Sequence, residues 1–242
     1  MRLIYESMIK NLKLVPSGVN AKLLLRHSIR PETNKMNDEV DFKLGLTREG
    51  KELASYFGRF LGGHLDKDFK VNIKGVKSSK SPRCIETAKK LLQGYGKELP
   101  TIEERILHSM WIEDKMKWQK LFENYDKDLK ILLPKMLNKE NLDGVYPVNT
   151  TITKILLAMN FKDIAQGPKD SLYNLDVFVT HDCLIMLFLS FLFNKTIEQM
   201  LPWIYMLEGC ILWFENAVLC IAWRGNIYRI ELEPTILQEI KL

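Results

Sequence analysis

Short apolar runs alternate with segments of helical spacing along most of the chain. Residues 21–26 (AKLLLR) form one such run, with the length and density of a strand buried on both faces of a sheet. In 47–62 (TREGKELASYFGRFLG) the period changes: Leu53, Tyr56, Phe57, Phe60 and Leu61 fall on one face of a helix, with Thr47 placed as its N-cap. Residues 71–78 (VNIKGVKS) read as a second strand. Residues 82–94 (PRCIETAKKLLQG) read as a helix, with Pro82 in the first turn and Gly94 at the end. The stretch 103–142 differs from what precedes it. Charge and aromatic residues (Trp111, Trp118, Phe122, Tyr125) recur at helical spacing, which predicts about two helices on the side of the main body, followed by a third around 148–160. A buried strand at 175–180 (LDVFVT) and a buried helix at 183–194 come next. The chain closes on an alternating meander, 210–215, 217–223 and 227–232, with turns at Asn216 and Gly225-Asn226.

Strands followed by helices imply an α/β fold: a three-layer sandwich with a mostly parallel mixed central sheet flanked by helices. The length of 242 residues suits a single domain over 1–242 with a helical insertion at about 103–150, and it allows a substantial core. Composition narrows the classes. Hydrophobic content of 46% and charged content of 27% argue against wholesale disorder. The net charge of +5 is too small, and its densest stretch (Lys67 to Arg83) too ordinary, to predict a nucleic-acid partner; those lysines read as a solvated surface. Cys84, Cys183, Cys210 and Cys220 sit among apolar residues and form no CxxC pair, so neither zinc nor disulfide exchange is expected, and reduced thiols suit a cytoplasmic location. Glu6 and Lys10 interrupt the apolar N-terminus, so no signal peptide is expected. The longest apolar run, 184–193, is too short to span a bilayer, so no membrane partner is expected either.

In an open α/β sheet the ligand site lies beyond the carboxyl ends of the strands. Three stretches occupy such positions: Arg26-His27-Ser28-Ile29-Arg30, Ser78 to Arg83, and His181-Asp182. Three arginines and two histidines are thereby predicted on one edge. Arginine offers a planar fork of donors that fits phosphate oxygens and keeps its charge at any working pH. Such a cluster repels itself without an anion, so a phosphoryl group is the expected occupant, helped by the N-terminus of helix 82–94. A neutral histidine in that cage can attack phosphorus through Nε2 while Nδ1–H donates to a fixed acceptor. The leaving oxygen then needs a proton from a nearby carboxyl group. His64 and His108 stand outside this pattern and read as structural or exposed, and Trp111 and Trp118 as core of the insertion.

The same residues resemble a known family. LLLRHSIRP resembles the RHG motif of the histidine phosphatase (phosphoglycerate mutase-like) superfamily, and LTREGKELASYFGRFL the LTxxG segment that follows it. SSKSPRCIETAKKL resembles the SSxxxRxxxTA segment, and VFVTHDCLI the late strand that carries a second histidine. The four occur in the family's order over about residues 21 to 190. The resemblance implies a phosphomonoester hydrolase working through a phosphohistidine on His27, without metal or other cofactor. Arg26, Arg30 and Arg83 would bind the phosphoryl group and His181 would stabilise its transition state. Ser28 replaces the motif glycine, and its hydroxyl either fits that space or adds a phosphate contact. For the proton donor the resemblance divides. Arg30 and the His181-Asp182 pair favour Asp182, as in the acid-phosphatase branch; the short chain leaves Glu103, Glu104 and Glu113, as in the mutase branch. The implied partner is a small-molecule or peptide phosphate ester, chosen by the insertion. A phosphomutase and a non-catalytic phosphate-binding module are the alternative readings.

Overall fold

The computed structural model describes residues 6–32, 43–109, 111–161 and 171–240. Its centre is a seven-stranded sheet: β1 Asn20–Arg26, β2 Asn72–Ser78, β3 Thr101–Glu103, β4 Asn174–Thr180, β5 Gly209–Glu215, β6 Val218–Trp223 and β7 Asn226–Ile230. The spatial order is β3-β2-β4-β1-β5-β6-β7. The β3-β2-β4-β1 half is parallel and the β1-β5-β6-β7 pairings are antiparallel, so the sheet is mixed, with the expected meander as one edge.

Alternation along the strands splits the core into two layers. Leu23 and Leu25 of β1 and Val177 and Val179 of β4 face α1 (Glu6–Lys13), α2 (Arg48–Leu61) and α3 (Pro82–Tyr95). Leu24 and Phe178 face the opposite layer. That layer contains α4 (Ile106–Ser109), α5 (Lys115–Asn124), α6 (Leu129–Leu137), α7 (Val148–Met159), α8 (Asp182–Leu192) and α9 (Pro234–Ile240). Lys22 is also buried on that second side, where Asp176 of the neighbouring strand meets its Nζ at 2.6 Å. The predicted insertion therefore contains α4, α5 and α6, with α7 beginning at its end. Among the described residues no helix is long and apolar enough to cross a membrane.

Two predicted boundaries move. Gly94 is not the end of α3: Gly96 takes the left-handed conformation there, at φ 80°, and its N–H closes onto the Leu92 carbonyl. Gly94 instead serves packing. A Cβ on it would collide with the carbonyl of Ser55 in α2, and one on Gly58 with the carbonyl of Leu91 in α3, so two glycines let these helices meet backbone to backbone. Alanine inside a helix normally gains about 0.5–1 kcal/mol over glycine. Here the collision outweighs that gain. Gly94→Ala is expected to destabilise by about 1–3 kcal/mol, as overpacking does, read as a lower denaturant midpoint at unchanged slope. The final turn also shifts, to Arg224 and Gly225, both at positive φ. Helices α1 and α9 have no counterpart in the sequence reading.

Candidate active site

Strands β2, β4 and β1 are neighbours, and their register aligns their ends: Arg26 lies opposite Thr180, and Ser78 opposite Val179. The residues that follow, His27, Ser79 and His181, therefore emerge side by side. The His27 N–H donates to the Thr180 carbonyl at 3.0 Å and the Ser79 N–H to the Val179 carbonyl at 2.9 Å, which extends the ladder one step past each strand.

His27 is 3% exposed. Its Nδ1 lies 2.8 Å from the Ser28 carbonyl. A carbonyl only accepts, so Nδ1 carries the hydrogen and Nε2 keeps the lone pair. Burial, then the charges of Arg83 and Arg26, push the ring's pKa down to about 3, against the opposing pull of the Ser28 bond and Asp182. His27 is thus neutral at ordinary pH and presents a basic nitrogen. The His181 ring stands 5.5 Å away, nearly edge to face. Its Nε2 is 3.0 Å from Ser79 Oγ. Burial, followed by the charges of His27 and Arg83, holds its pKa well below the usual value.

The LTREG segment explains how the loop after β1 is held. Thr47 Oγ1 caps α2 by accepting from the Gly50 N–H at 3.0 Å, and the Thr47 N–H donates to the Ile29 carbonyl at 3.0 Å. Gly50 lies so close to that carbonyl that no side chain fits there. Thr87, the threonine of ETA, accepts from the Ser28 N–H at 2.9 Å while donating to the Arg83 carbonyl at 2.7 Å. One hydroxyl therefore ties the His27 loop to the first turn of α3, where Arg83 follows Pro82. Arg83 is 8% exposed. A cation at a helix N-terminus is unfavourable unless an anion faces it.

Three predicted phosphate ligands have protein partners in the structure. Ser28 is fully buried, and its hydroxyl donates to the Gly50 carbonyl at 2.8 Å. It fastens α2 to the loop and does not offer its hydrogen to a phosphate. Arg26 turns toward protein groups: Nη1 donates to the Ile204 carbonyl and Nη2 meets Asp182 Oδ2 at 2.8 Å. Its charge still bears on His27, but its terminal nitrogens position Asp182 and the 201–208 loop. Arg30, half-buried, donates from Nη1 to the Pro31 carbonyl at 2.9 Å.

Asp182 lies beside the histidines as the motif requires, in a bound state. Oδ2 also accepts from Trp203 Nε1 at 2.9 Å, and Oδ1 accepts from the Cys183 N–H at 2.9 Å. Burial alone would raise its pKa; Arg26, Trp203 and the Cys183 N–H outweigh that and hold it at about 2. In this structure the carboxylate is thus held by a guanidinium, an indole and a backbone N–H. Among the carboxylates of the insertion, Glu103 and Glu113 are exposed, and Glu104 lies 3.7 Å from Lys77.

His108, which reads as structural or exposed, lies beside these residues in the fold. Its Nδ1 is 3.1 Å from Ser79 Oγ, and its ring is 5.6 Å from that of His181. Beyond it opens a cleft of about 740 Å³, lined in part by Lys80, Glu104, Glu113, Trp118 and Tyr146. Trp111 and Trp118 are buried, as read, though Trp118 also borders the cleft, stacked on Phe122 at 5.2 Å. His64, the other histidine outside the pattern, lies 3.3 Å from the Tyr95 carbonyl in an exposed setting. Cys84 lies 3.8 Å from His181, and burial pushes its thiol up to about 12, which removes it as a nucleophile.

No protein-family profile matches the sequence. No curated protein matches it either. Solved structures do resemble the fold. A phosphoglycerate mutase from Bacillus anthracis superposes with a TM-score of 0.52 at 15% identity, over 94% of this chain and 99% of that one. Mycobacterial hydrolase 2 gives 0.54 at 13% identity, over 93% and 97%. YhfR of Bacillus stearothermophilus gives 0.53 at 13%, over 86% and 98%. The chain thus has the histidine phosphatase, phosphoglycerate mutase-like fold that its motifs resemble.

Proposed function

We propose that this chain is a phosphoryl-transfer enzyme that hydrolyses phosphate monoesters through a phosphohistidine on His27. The observation that carries the reading is the His27 ring: neutral, with Nδ1–H fixed on the Ser28 carbonyl and Nε2 left as the nucleophile. The ester's phosphoryl group would lie against Arg83 and His181. Nε2 attacks phosphorus, the bond to the ester oxygen breaks, and water later cleaves the phosphoramidate. The Arg83 fork stabilises charge on the equatorial oxygens through both steps. The fold is shared by mutases and hydrolases; hydrolysis is favoured because the sequence lacks the mutase branch's characteristic residues around its glutamate. The substrate is a small-molecule or peptide phosphate ester whose leaving group lies in the cleft beside His108. Four unpaired thiols suit work in a reducing cytoplasm.

The test is a panel of phosphate esters offered to purified protein, with acid-labile, base-stable phosphate on His27 trapped from the first turnover. Since Arg83 and the histidines supply the charge this reading needs, activity is expected to survive strong chelators. Vanadate, which mimics five-coordinate phosphorus, is expected to inhibit competitively. Loss of activity on chelation, restored by one divalent ion, sinks the metal-independent mechanism.

A further inference from the structure

We propose that Trp203 is a positioning residue of the phosphoryl site, acting through Asp182 on Arg26. This rests on the phosphohistidine reading and adds a residue to it. Trp203 lies in the loop 200–208 that leads into β5, and that loop meets the site at four points. Trp203 Nε1–H donates to Asp182 Oδ2 at 2.9 Å, and the Ile204 carbonyl accepts from Arg26 Nη1. The Leu207 N–H donates to the His27 carbonyl at 3.4 Å, and the Glu208 carbonyl accepts from the Arg26 N–H at 2.9 Å. The loop has its own anchor. Glu208 is 1% exposed; its Oε1 accepts from Arg224 Nε at 3.0 Å and its Oε2 from the Tyr205 N–H at 2.8 Å. The Arg224 fork also donates to the Met200 carbonyl at 3.1 Å and the Pro202 carbonyl at 2.6 Å. Arg224 therefore grips the loop on both sides of Trp203. A buried polar network with its members satisfied rigidifies the chain around it.

The donors on Asp182 divide the work. Oδ1 accepts from the Cys183 N–H at 2.9 Å; Oδ2 accepts from the Trp203 indole and meets Arg26 Nη2 at 2.8 Å. The two neutral donors belong to separate elements, α8 and the 200–208 loop, and between them they fix the plane of the carboxylate. The guanidinium docks on the plane they set. Without the indole bond one neutral donor remains, the carboxylate turns about its Cβ–Cγ bond, and Arg26 loses a fixed partner beside His27. The Lys130 ammonium stands over the Trp203 ring, 5.1 Å from its centroid. A cation there draws on the electron density of the ring and makes the indole N–H a stronger donor. Lys130 belongs to α6, so the insertion bears on the phosphoryl site through this ring.

The experiment is a double-mutant cycle on kcat/KM for p-nitrophenyl phosphate and on inhibition by vanadate. It uses the wild type, Trp203→Phe, which keeps a ring without the N–H, Asp182→Ala, and the two together. Trp203→Phe alone is expected to lose on the order of 10–10², the scale of one hydrogen bond to a charged group. With Asp182→Ala already present, the same change is expected to cost less than about twofold, because its only route to the site is gone. Losses that multiply are the result for a ring that merely packs, and they would overturn the assignment. So would wild-type kinetics in either single variant. A second readout is the ¹⁵N indole resonance of Trp203, identified by its absence in Trp203→Phe. It is expected to move in Asp182→Ala, and a resonance that stays in place would show that the bond does not form in solution. If the wild type forms no adduct on His27, the phosphohistidine reading fails; the same cycle on vanadate affinity, with the resonance, then decides the place of Trp203 separately.

Discussion

His27→Ala is expected to lower turnover by a factor on the order of 10⁴–10⁶, the scale for losing a nucleophile that works as a unit with its neighbours. The residual rate would come from the remaining charge cage. The variant should fold. The change removes a buried neutral ring whose protonation is already suppressed, and the Ser28 carbonyl that accepts from Nδ1 loses one hydrogen-bond partner. His27→Asn, which keeps a donor close to that carbonyl, should be as inactive as alanine, because an amide nitrogen has no basic lone pair to offer phosphorus. The measurement is single-turnover kinetics with labelled ester: wild type gives a burst of protein-bound phosphate stable in base and lost in acid, and neither variant does. Near wild-type turnover in either would show that the nucleophile is elsewhere.

Arg83→Ala is expected to weaken binding and turnover together, with a loss on the order of 10²–10³ in kcat, as for removing one preorganised donor. Arg83 is nearly buried at the second position of α3, and its charge acts on His27 and on His181. Two consequences separate this role from helix capping. Arg83→Lys should recover only part of the loss, since a point charge cannot replace a planar fork. The acid limb of the residual activity should also move to higher pH. His27 is held low first by burial and next by Arg83, so removing that charge lets the ring protonate more readily, and the protonated ring cannot attack. Full activity in Arg83→Ala would assign it to the helix terminus instead.

Much of this was legible in the residues because it depends on neighbours close in the chain. The run at 21–26, the helical face from Leu53 to Leu61, the Thr47 cap and Pro82 opening a helix are all local. So is the rule that put candidates at the strand ends, and it placed His27, Arg83 and His181 on one edge without a tertiary contact being known. Local pattern failed where a face is mixed. In α1 the buried positions are Met8, Asn11 and Leu12, with Asn11 bonding to the Gly209 carbonyl and the Gly225 N–H, so a polar residue occupies the apolar face.

The partners across the sheet were decided only by the fold. On paper the Ser28 hydroxyl either fits the motif glycine's space or meets phosphate; in the fold α2 supplies a carbonyl for it. Arg26 and Asp182 read as a ligand and an acid, and that they pair with one another follows from β1 lying beside β4, which puts guanidinium against carboxylate. Gly94 and Gly96 are equally good helix ends on paper, and only the approach of α2 reserves Gly94 for contact. His108 follows no strand long enough to announce it; bonds from Thr180 and Ser78 to the 104–107 stretch bring it to Ser79. Periodicity and caps encode what a segment does with itself. Which hydroxyl, charge or ring it meets is set by strand order and register, and those are properties of the whole sheet.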